Sequence, residues 1–599
     1  MSVEILNTVN GLTIKLKAYH DCDNVQLCWR VLNSTNIDTP VNQCLGFKIE
    51  RQRLKNGQWQ GTEILRNAVG FDNENIDLND PNQASKSSSI RPFQRYDWTD
   101  HGANINEVVR YKVSAMGNTQ NIVLGSTELV EIFDSGWTQQ IEVTATAGNG
   151  ISVFFNRGIV MSQFVARIAR QNNWSAVEIK NHIAEIEEPL RIFLSGELRI
   201  ALLRLLDSVI ANPFYSVYLA LYELSDKELI DKLVLIKSRA NIILSDGSNK
   251  NDNPPPVYKD ENSESRSTLI SGGVKVFDRI LTSKGLGHNK FLVIIDNRTD
   301  SPVLAWTGST NWSPSGLCTQ LNNGVLIENA DVAEVYFEHW KKLRDAGNSF
   351  PDTLVSSNNN SPTKANNIDI WFTRVKKPSV ATDLAIDIAA LKQLVDSAEK
   401  SILYVMFQPG LEPLKSIIDR RKEENFYVRG VVSTLIKTNK EIFELSDENG
   451  KPPYIDDLIQ PDGISKDFSW WVKEVTRGQF IPTKFNHNVG IGHAITHTKM
   501  IVIDPFTDNC KVITGSHNFS KSASIENDEN FIVVQANKEM AEHYAVACIA
   551  IYNHYRWRAY VKDKLAAGQE IWSHLSKNPS WQADYLRNSR LLNHLNTWC

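Results

Sequence analysis

The sequence lacks several features that mark particular classes of protein. It has no apolar run of about 18 residues, the length that a helix needs to span a bilayer. Its first residues, Met-Ser-Val-Glu-Ile-Leu-Asn, lack the basic region and apolar run of a secretion signal. The formal net charge is -5, so the overall charge does not indicate a nucleic-acid-binding protein. We therefore expect a cytoplasmic protein.

The sequence is also poor in the patterns that cysteine and histidine form around metals. It contains seven scattered cysteines and no C-x-x-C pair, so neither a disulfide framework nor a zinc site is expected, and a reducing compartment fits. His493 precedes His497 by four residues, a spacing that could bind a metal on a helix. The apolar residues that follow indicate a strand instead, and no third ligand is evident. We predict no metal and no cofactor.

The most informative feature is a pattern that occurs twice. In the second copy, His-Thr-Lys-Met-Ile-Val-Ile-Asp (497 to 504) is followed by Gly-Ser-His-Asn (515 to 518) and Asn-Asp-Glu-Asn (527 to 530). In the first copy, His-Asn-Lys (288 to 290) and an apolar run are followed by Gly-Ser-Thr-Asn (308 to 311) and Asn-Asn (322 to 323). The apolar runs are typical of buried strands, so the polar residues lie at strand ends.

The two copies predict two homologous domains that share one site. His288 and His497 are 209 residues apart, which is far longer than a solenoid repeat. Each half supplies one histidine, one lysine and one asparagine. A complete site therefore requires the halves to face each other across a pseudo-two-fold interface.

These residues suit the chemistry of a phosphodiester. Its hydrolysis needs a nucleophile, an acid for the leaving oxygen and cations for the phosphoryl oxygens. Two histidines and two lysines can supply all three without a metal.

The two motifs closely resemble those of the phospholipase D superfamily, His-x-Lys-x4-Asp followed by Gly-Ser-x-Asn, over residues 180 to 590. The resemblance implies a phosphodiesterase with a covalent phosphohistidine intermediate. It implies these catalytic residues: His288, Lys290, Asn311, His497, Lys499, Asn518 and Glu529. It implies substrate-binding or turn-supporting roles for Ser309, Ser516, Asn322 and Asn323, and a structural role for Asp504.

The first copy departs from the family pattern at two positions. Asp296 comes one residue late, which would turn its side chain to the other face of the strand unless a bulge corrects it, so we expect no role for it. Asn322 stands where the second copy has Glu529. If Glu529 orients the histidine of its own motif, His497 is the more basic and protonates the leaving group. His288 would then be the nucleophile.

The fold class we predict is α/β, with two fused phospholipase D-like α/β/α halves after an all-β sandwich. Residues 1–138 form the sandwich, with Trp29 and Tyr111 resembling core residues of fibronectin type III domains. Residues 139–365 and 366–599 form the two halves. Polar stretches indicate a surface loop at 245–267 and a linker at 356–367.

The substrate is less well defined by the sequence. Trp470 and Trp471 could dip into a membrane, stack on bases or pack in a core. The segment 554–599 has an excess of basic residues interleaved with Trp557, Trp572, Trp581 and Trp598, which would suit anionic lipid or nucleic acid. We prefer a phospholipid at a membrane surface as the partner and substrate.

Two alternatives stay open. One is an endonuclease that hydrolyses DNA or RNA, and the other is a binding or assembly protein with a vestigial site. We further expect a monomer with an internal pseudo-dimer, and we expect its sandwich to dock another protein.

Overall fold

A computed structural model describes most of the chain. The described residues are 2–74, 85–118, 123–158, 172, 174, 176–247, 260–281, 285–358, 361–380, 382–421, 423–432, 496–566 and 574–599. The predictions for Trp470, Trp471, His493 and Trp572 lie outside them. Two compact units result: Met1–Ala145 with Asn425–Tyr427 and Tyr560–Cys599, and Thr146–Glu424 with Val428–Ala559. No helix in the described ranges is long and apolar enough to cross a bilayer.

The first unit is built mainly from strands. They are β1 Val3–Val9, β2 Leu12–His20, β3 Val25–Leu32, β4 Cys44–Lys55, β5 Gln58–Trp59, β6 Glu63–Ile64, β7 Arg66–Asn67, β8 Gly70–Phe71, β9 Lys86–Ser87, β10 Asp97–Asp100, β11 Val108–Gly117, β12 Val130–Asp134 and β13 Ile141–Glu142. One sheet has the order β1-β2-β3-β10 and the other the order β12-β11-β4-β5. The all-β character agrees with the prediction, although β12 starts later than the predicted strand at 122–132.

Aromatic side chains from both sheets form the core of this unit. Trp29 of β3 contacts Phe47 of β4 with ring centroids 5.4 Å apart. Tyr111 is fully buried, and its hydroxyl donates to the Asp100 carboxylate at 2.8 Å. The fibronectin type III resemblance stays a prediction.

The C-terminal residues correct two expectations. Strand His574–Leu575 and helices Trp581–Arg587 and Ser589–Trp598 belong to the first unit, not to the second half as predicted. Trp581 and Trp598 are buried there, against Phe47 and Tyr19 respectively, so they do not form the exposed aromatic face that we expected.

Two cysteines are paired, although the sequence indicated no disulfide framework. Cys28 and Cys599 are disulfide-bonded, with Cα atoms 6.0 Å apart and a sequence separation of 571 residues. A pairing across that separation leaves no spacing pattern for the sequence to reveal.

The second unit contains two seven-stranded sheets. The first half has β14 Ile151–Phe155, β15 Tyr215–Leu221, β16 Ala240–Leu244, β17 Lys275–Asp278, β18 Lys290–Asp296, β19 Ser301–Gly308 and β20 Asn323–Ile327, in the order β14-β20-β19-β18-β15-β16-β17. Its helices are α1 Ala176–Ala184, α2 Pro189–Ala211, α3 Lys227–Ile236, α4 Ser263–Ser271, α5 Pro314–Cys318, α6 Ala330–Ala346 and α7 Asp352–Asn358, with a short 3-10 turn at Lys237–Arg239.

The second half repeats this arrangement. Its strands are β21 Thr363–Ala365, β22 Ile368–Phe372, β23 Ser401–Met406, β24 Tyr427–Val432, β25 Met500–Ile503, β26 Lys511–Gly515 and β27 Asn530–Gln535, in the order β21-β22-β27-β26-β25-β23-β24. Its helices are α8 Ile386–Asp396, α9 Leu414–Arg420, α10 Lys521–Ile525 and α11 Lys538–Ala566. The order β22-β27-β26-β25-β23-β24 matches β14-β20-β19-β18-β15-β16, which confirms the two-half fold.

The motif strands lie at the centre of these sheets because they are apolar on both faces. Every residue of Met500–Ile503 is buried, and so is every residue of β18 except Asp296 at its end. Strands covered on both faces read as continuous apolar runs in the sequence. The polar motif residues are consequently held at the ends of rigid, buried strands.

The two predicted irregular segments are partly ordered elements. Helix α4, Ser263–Ser271, begins within the predicted loop 245–267 and continues beyond its end. Thr363–Ala365, within the predicted linker 356–367, pairs with β22 as an edge strand. Both stretches are polar because they lie at the surface, and a polar composition alone does not separate a surface helix or edge strand from a loop.

Candidate active site

The two halves meet directly at the motif histidines. The backbone amide of His288 donates to the Asp528 carbonyl at 2.9 Å, and that of His497 donates to the Leu321 carbonyl at 3.0 Å. Parallel bridges Gly287↔Asp528 and Leu321↔Thr496 accompany these bonds. Each histidine is therefore anchored to the strand end of the opposite half, as the predicted pseudo-two-fold interface requires.

The glycine that opens each Gly-Ser-x-Asn sequence permits a close backbone approach. A Cβ atom on Gly308 would lie 2.4 Å from the Asn323 carbonyl oxygen, and one on Gly515 would lie 2.3 Å from that of Asn530. Any other residue would push the neighbouring strand away. The turn that carries Asn311 or Asn518 is therefore packed tightly onto the strand that follows.

His288 is oriented by the carboxylate of the other half. Its Nδ1 lies 2.7 Å from Glu529 Oε2, and both side chains are buried. An ionised carboxylate can only accept, so Nδ1 carries the proton and Nε2 presents its lone pair. Burial lowers the pKa of His288 to about 4, although Glu529 opposes that shift. Burial acts to raise the pKa of Glu529, but the interaction with His288 outweighs it and the pKa is lowered.

His497 is oriented by a neutral amide. Its Nδ1 lies 2.9 Å from Asn322 Oδ1, while Asn322 Nδ2 donates to the Gly316 carbonyl at 2.8 Å. This assignment again places the proton on Nδ1. Burial, followed by the charges of Lys499 and Lys290, holds the pKa of His497 well below its usual value.

These contacts correct the expected pairing. Glu529 does not contact the histidine of its own motif, and Asn322 does not contact His288; each orients the histidine of the opposite half. The reason is the crossing of the backbone at the interface, which puts the end of each motif beside the start of the other. The argument that Glu529 makes His497 the more basic histidine therefore fails.

The two lysines are buried between the halves. Each Nζ donates to the carbonyl of its motif histidine, Lys290 at 2.9 Å and Lys499 at 2.6 Å. Burial lowers the pKa of Lys290 to about 8, with Glu529 and Glu223 opposing. Burial and the charge of Lys290 hold the pKa of Lys499 well below its usual value. The charge of Lys290 thus acts on Lys499, and the two residues form the lysine pair of the site.

The side-chain oxygens of Asn311 and Asn518 have no hydrogen-bond partner in the described ranges. Both Oδ1 atoms are buried. Buried polar atoms are normally satisfied, so two unsatisfied oxygens at equivalent positions of the two motifs indicate a place where a ligand or water binds.

The predicted substrate-binding serines and asparagines hold other site residues. Ser309 Oγ donates to Asn322 Oδ1 at 2.8 Å, and Ser516 Oγ donates to Glu529 Oε2 at 2.9 Å. Asn323 Nδ2 donates to the Tyr544 hydroxyl at 2.7 Å. The geometry thus gives them positioning contacts, whereas the sequence suggested contacts with substrate.

The motif aspartates differ between the halves. Asp504 is buried, and its carboxylate accepts from the backbone amides of Glu399, Lys400 and Ser401, each at 2.8 Å. A bulge occurs between Ile294 and Ile295, and a bulge is the irregularity that would correct the one-residue delay of Asp296. Asp296 nevertheless pairs with Arg298 at the surface.

Aromatic residues that we did not single out complete the site. Tyr222 directly follows β15 and packs on His288, with ring centroids 4.8 Å apart. Phe407 directly follows β23 and packs on His497 at 4.9 Å. In each half, an aromatic residue directly follows the equivalent strand. An alignment of the two halves with each other could have revealed this repeated feature in the sequence.

A buried histidine and a buried carboxylate support the second motif from behind. His517 Nε2 lies 3.2 Å from Asp387 Oδ2, and His517 Nδ1 accepts from the backbone amide of Phe519 at 2.9 Å. Both side chains are fully buried. In the part of the chain that is described, no group of three or more His, Cys, Asp or Glu residues could hold a metal ion.

Solved structures with similar folds come from several enzymes. Phosphatidylserine synthase from Haemophilus influenzae is 11% identical with a TM-score of 0.37, over 66% of this chain and 92% of that one. Nuc, a phospholipase D family member from Salmonella typhimurium, is 18% identical with a TM-score of 0.18, over 31% and 94%. Polyphosphate kinase from Porphyromonas gingivalis is 10% identical with a TM-score of 0.34, over 55% and 45%. The match thus spans less than half of that kinase.

Sequence comparison gives the family. No curated protein matches the chain. The family model described as cardiolipin synthase, PLD-like domain, matches residues 206–344 and 391–548, which include both motifs and together make up about half of the chain. Enzymes of this family are phosphodiesterases or phospholipid-modifying enzymes. With one phospholipase D-like domain in each half, the chain belongs to the phospholipase D superfamily.

Proposed function

We propose that the chain hydrolyses phosphodiesters without a metal, through a phosphohistidine on His288. The observation that carries this proposal is the opposed pair of histidines, each with Nδ1 bound by the other half and Nε2 left for chemistry. The same two motifs supply two buried lysines and two buried asparagines whose Oδ1 atoms have no hydrogen-bond partner in the described ranges. A vestigial site would have no need to keep all of these groups together.

In the first step, His288 Nε2 attacks phosphorus and the bond to the leaving oxygen breaks. His497 Nε2, protonated in the substrate complex, gives its proton to that oxygen. The lysines and the asparagine amides bind the phosphoryl oxygens, where the transition state gathers negative charge. In the second step, water attacks phosphorus, His497 takes a proton from the water, and the bond to His288 breaks.

The roles are assigned to the histidines by the charge of their partners. The imidazole ring of a histidine phosphorylated on Nε2 and protonated on Nδ1 carries a positive charge, and Glu529 lies at hydrogen-bonding distance from that Nδ1. Asn322 offers His497 no charge, so His497 loses its proton more easily. His288 as nucleophile agrees with our sequence-based choice, but the reason is now the opposite one.

The substrate we propose is a phospholipid at a membrane surface, hydrolysed by a monomer that contains both halves. We infer the monomer from the presence of both halves in one chain. The first test incubates EDTA-treated wild-type, His288→Ala and His497→Ala proteins with phosphatidylcholine or cardiolipin vesicles and, in parallel, with DNA and RNA. His574→Ala is the control, since His574 is exposed and lies in the other unit.

Loss of lipid hydrolysis in both site variants, but not in the control, would support the proposal. Nucleic-acid cleavage with the same dependence would make the enzyme a nuclease. Activity that survives either site substitution would overturn the two-histidine mechanism.

A p-nitrophenyl diester separates the two roles. Its leaving group needs little protonation, so His497→Ala should still release a burst of p-nitrophenol and accumulate phosphohistidine. His288→Ala should release none. The reverse result would exchange the roles of the two histidines.

A further inference from the structure

The two halves carry different charges at one pair of equivalent positions beside the site. Tyr222-Glu223 follows β15 in the first half, and Phe407-Gln408 follows β23 in the second. The two rings pack on His288 and His497 in the same way. The next residue is a carboxylate in one half and a neutral amide in the other.

The backbone of Glu223 is fixed to the turn that carries Asn311. The Trp312 amide donates to the Glu223 carbonyl at 3.1 Å, and the Trp312 carbonyl accepts from Ser225 and Asp226 at 2.9 Å. In the second half, Gly410 donates to the Phe519 carbonyl at 2.9 Å. Both segments are therefore part of the rigid wall of the site.

The Glu223 side chain is half-buried, and protein groups engage it only weakly. Its one hydrogen bond within the described ranges comes from Ser313 Oγ at 3.5 Å, and it forms no ion pair there with either lysine. Its charge still acts to raise the pKa of both Lys290 and Lys499. The carboxylate is therefore near enough to act on the charge of both lysines, yet it is bonded to neither of them in the described ranges.

The surroundings of Glu223 are acidic on one side and basic on the other. Burial raises the pKa of Glu223 to about 7, with the lysines opposing and Glu261 contributing to the rise. Asp246 and Glu261 also act on the neighbouring Tyr222. The first half thus presents negative charge next to the lysine pair, and the second half does not present a carboxylate at the matching position.

We propose that Glu223 determines substrate specificity by charge: it favours phosphodiesters with a cation next to the scissile phosphate and disfavours those with a second phosphate there. The proposal rests on the proposed phosphodiesterase function. The lysines and amides stabilise the negative charge of the scissile phosphate. An additional negative charge next to that phosphate would be repelled by the Glu223 carboxylate. A zwitterionic diester, such as a choline or ethanolamine ester, fits this site better than a polyanionic nucleic acid.

The test compares diesters that differ only in charge. One pair is p-nitrophenyl phosphocholine and its uncharged carbon isostere, the neohexyl ester; the other is TpT and pTpT. Loss of diester is measured by phosphorus NMR, and kcat/KM is compared within each pair. Wild type should favour the charged choline ester and TpT by about tenfold, the size expected for one partly solvated charge pair.

The key variant is Glu223→Gln, which copies the residue of the second half. In this variant both kcat/KM ratios, for the choline pair and for the nucleotide pair, should fall towards one. Glu264→Gln is an exposed substitution with the same change of charge, and it should leave both ratios at their wild-type values. As the pH falls through about 7, the wild-type choline preference should also fall, because Glu223 becomes protonated, while the ratio of Glu223→Gln should stay constant.

Unchanged ratios in an active Glu223→Gln variant would overturn the proposal and leave the phosphodiesterase function intact. Equal losses on all four substrates would also overturn it. If Glu223→Gln fails to fold, Gln408→Glu replaces it: a second carboxylate should increase the discrimination against pTpT by about tenfold, and no change would count against the proposal. A wild type inactive on all four diesters would contradict the proposed function itself.

Discussion

The two halves of the second unit share a fold but not a charge distribution. Lysine, asparagine and histidine occur at matching positions of the two halves. At two other matching positions the residues differ: Glu529 corresponds to Asn322, and Glu223 corresponds to Gln408. Because the backbone crosses at the interface, Glu529 serves His288 and Asn322 serves His497. Duplication supplied a symmetric scaffold, and a few substitutions gave the two histidines different environments.

This comparison shows how one scaffold can separate nucleophile from acid. Both histidines are buried, neutral in the free site and fixed in the same tautomer. Among their hydrogen-bonding partners in the described ranges, the charge of the Nδ1 partner distinguishes them. Exchange of that partner should therefore affect catalysis more than any other change outside the histidines and lysines.

The largest effect is expected from Glu529→Gln. The amide preserves the shape but removes the charge that stabilises the phosphorylated, cationic His288. We expect kcat to fall by roughly 10²- to 10⁴-fold, the range that a well-placed proton-handling group contributes. This fall in kcat is measured by steady-state hydrolysis of a p-nitrophenyl diester, and the control is Glu187→Gln, a substitution at an exposed position. A loss of less than threefold would mean that the carboxylate does not distinguish the histidines.

The lysine pair is the next point of comparison. Lys290 with a pKa of about 8 loses its proton as pH rises through that value, so kcat/KM should fall about tenfold for each pH unit above it. Lys499→Arg should keep this falling limb, and the double variant Lys290→Arg/Lys499→Arg should lose it, because guanidinium stays charged. A pH profile with the same limb in the double variant would assign that limb to another group.

The motif aspartates give a contrast in stability. Asp504→Asn weakens three buried backbone hydrogen bonds and should lower the free energy of unfolding by about 2–4 kcal/mol, since bonds to charged groups are the stronger ones. Asparagine tolerates the positive φ of 48° at this position. Asp296→Asn alters only a surface pair and should cause no measurable change in urea denaturation. Similar losses in the two variants would contradict this difference between the halves.

The sequence was sufficient for the elements that depend on local pattern. Continuous apolar runs in the sequence coincide with β15, β16, β24 and β25, and the repeated motifs predicted the two-half fold. Both signals are local. A strand that is buried on both faces has a continuous apolar run in the sequence. The motif glycines Gly308 and Gly515 lie so close to the neighbouring strand that no other residue fits there.

The sequence was insufficient where contacts join distant segments. Glu529 and His288 are 241 residues apart, and only the crossing at the interface brings them together. Trp581 and Trp598 resembled a surface feature because nothing near them in sequence shows that they fill the core of the first unit. Glu223 was overlooked because a single carboxylate after a strand has no meaning until the two halves are superposed.

The smallest expected effect concerns two tyrosines that approach the site from equivalent helices. The Tyr544 hydroxyl of α11 accepts from Asn323 at 2.7 Å, and the Tyr336 hydroxyl of α6 donates to Asn530 at 3.3 Å. Each asparagine keeps a threonine partner, so removal of a hydroxyl should cost only about 0.5–1.5 kcal/mol. Tyr544→Phe should lie at the upper end of that range and Tyr336→Phe at the lower end, because the second bond is longer. Urea denaturation of both variants measures the difference, and equal costs would show that the two supports are equivalent even though the histidines are not.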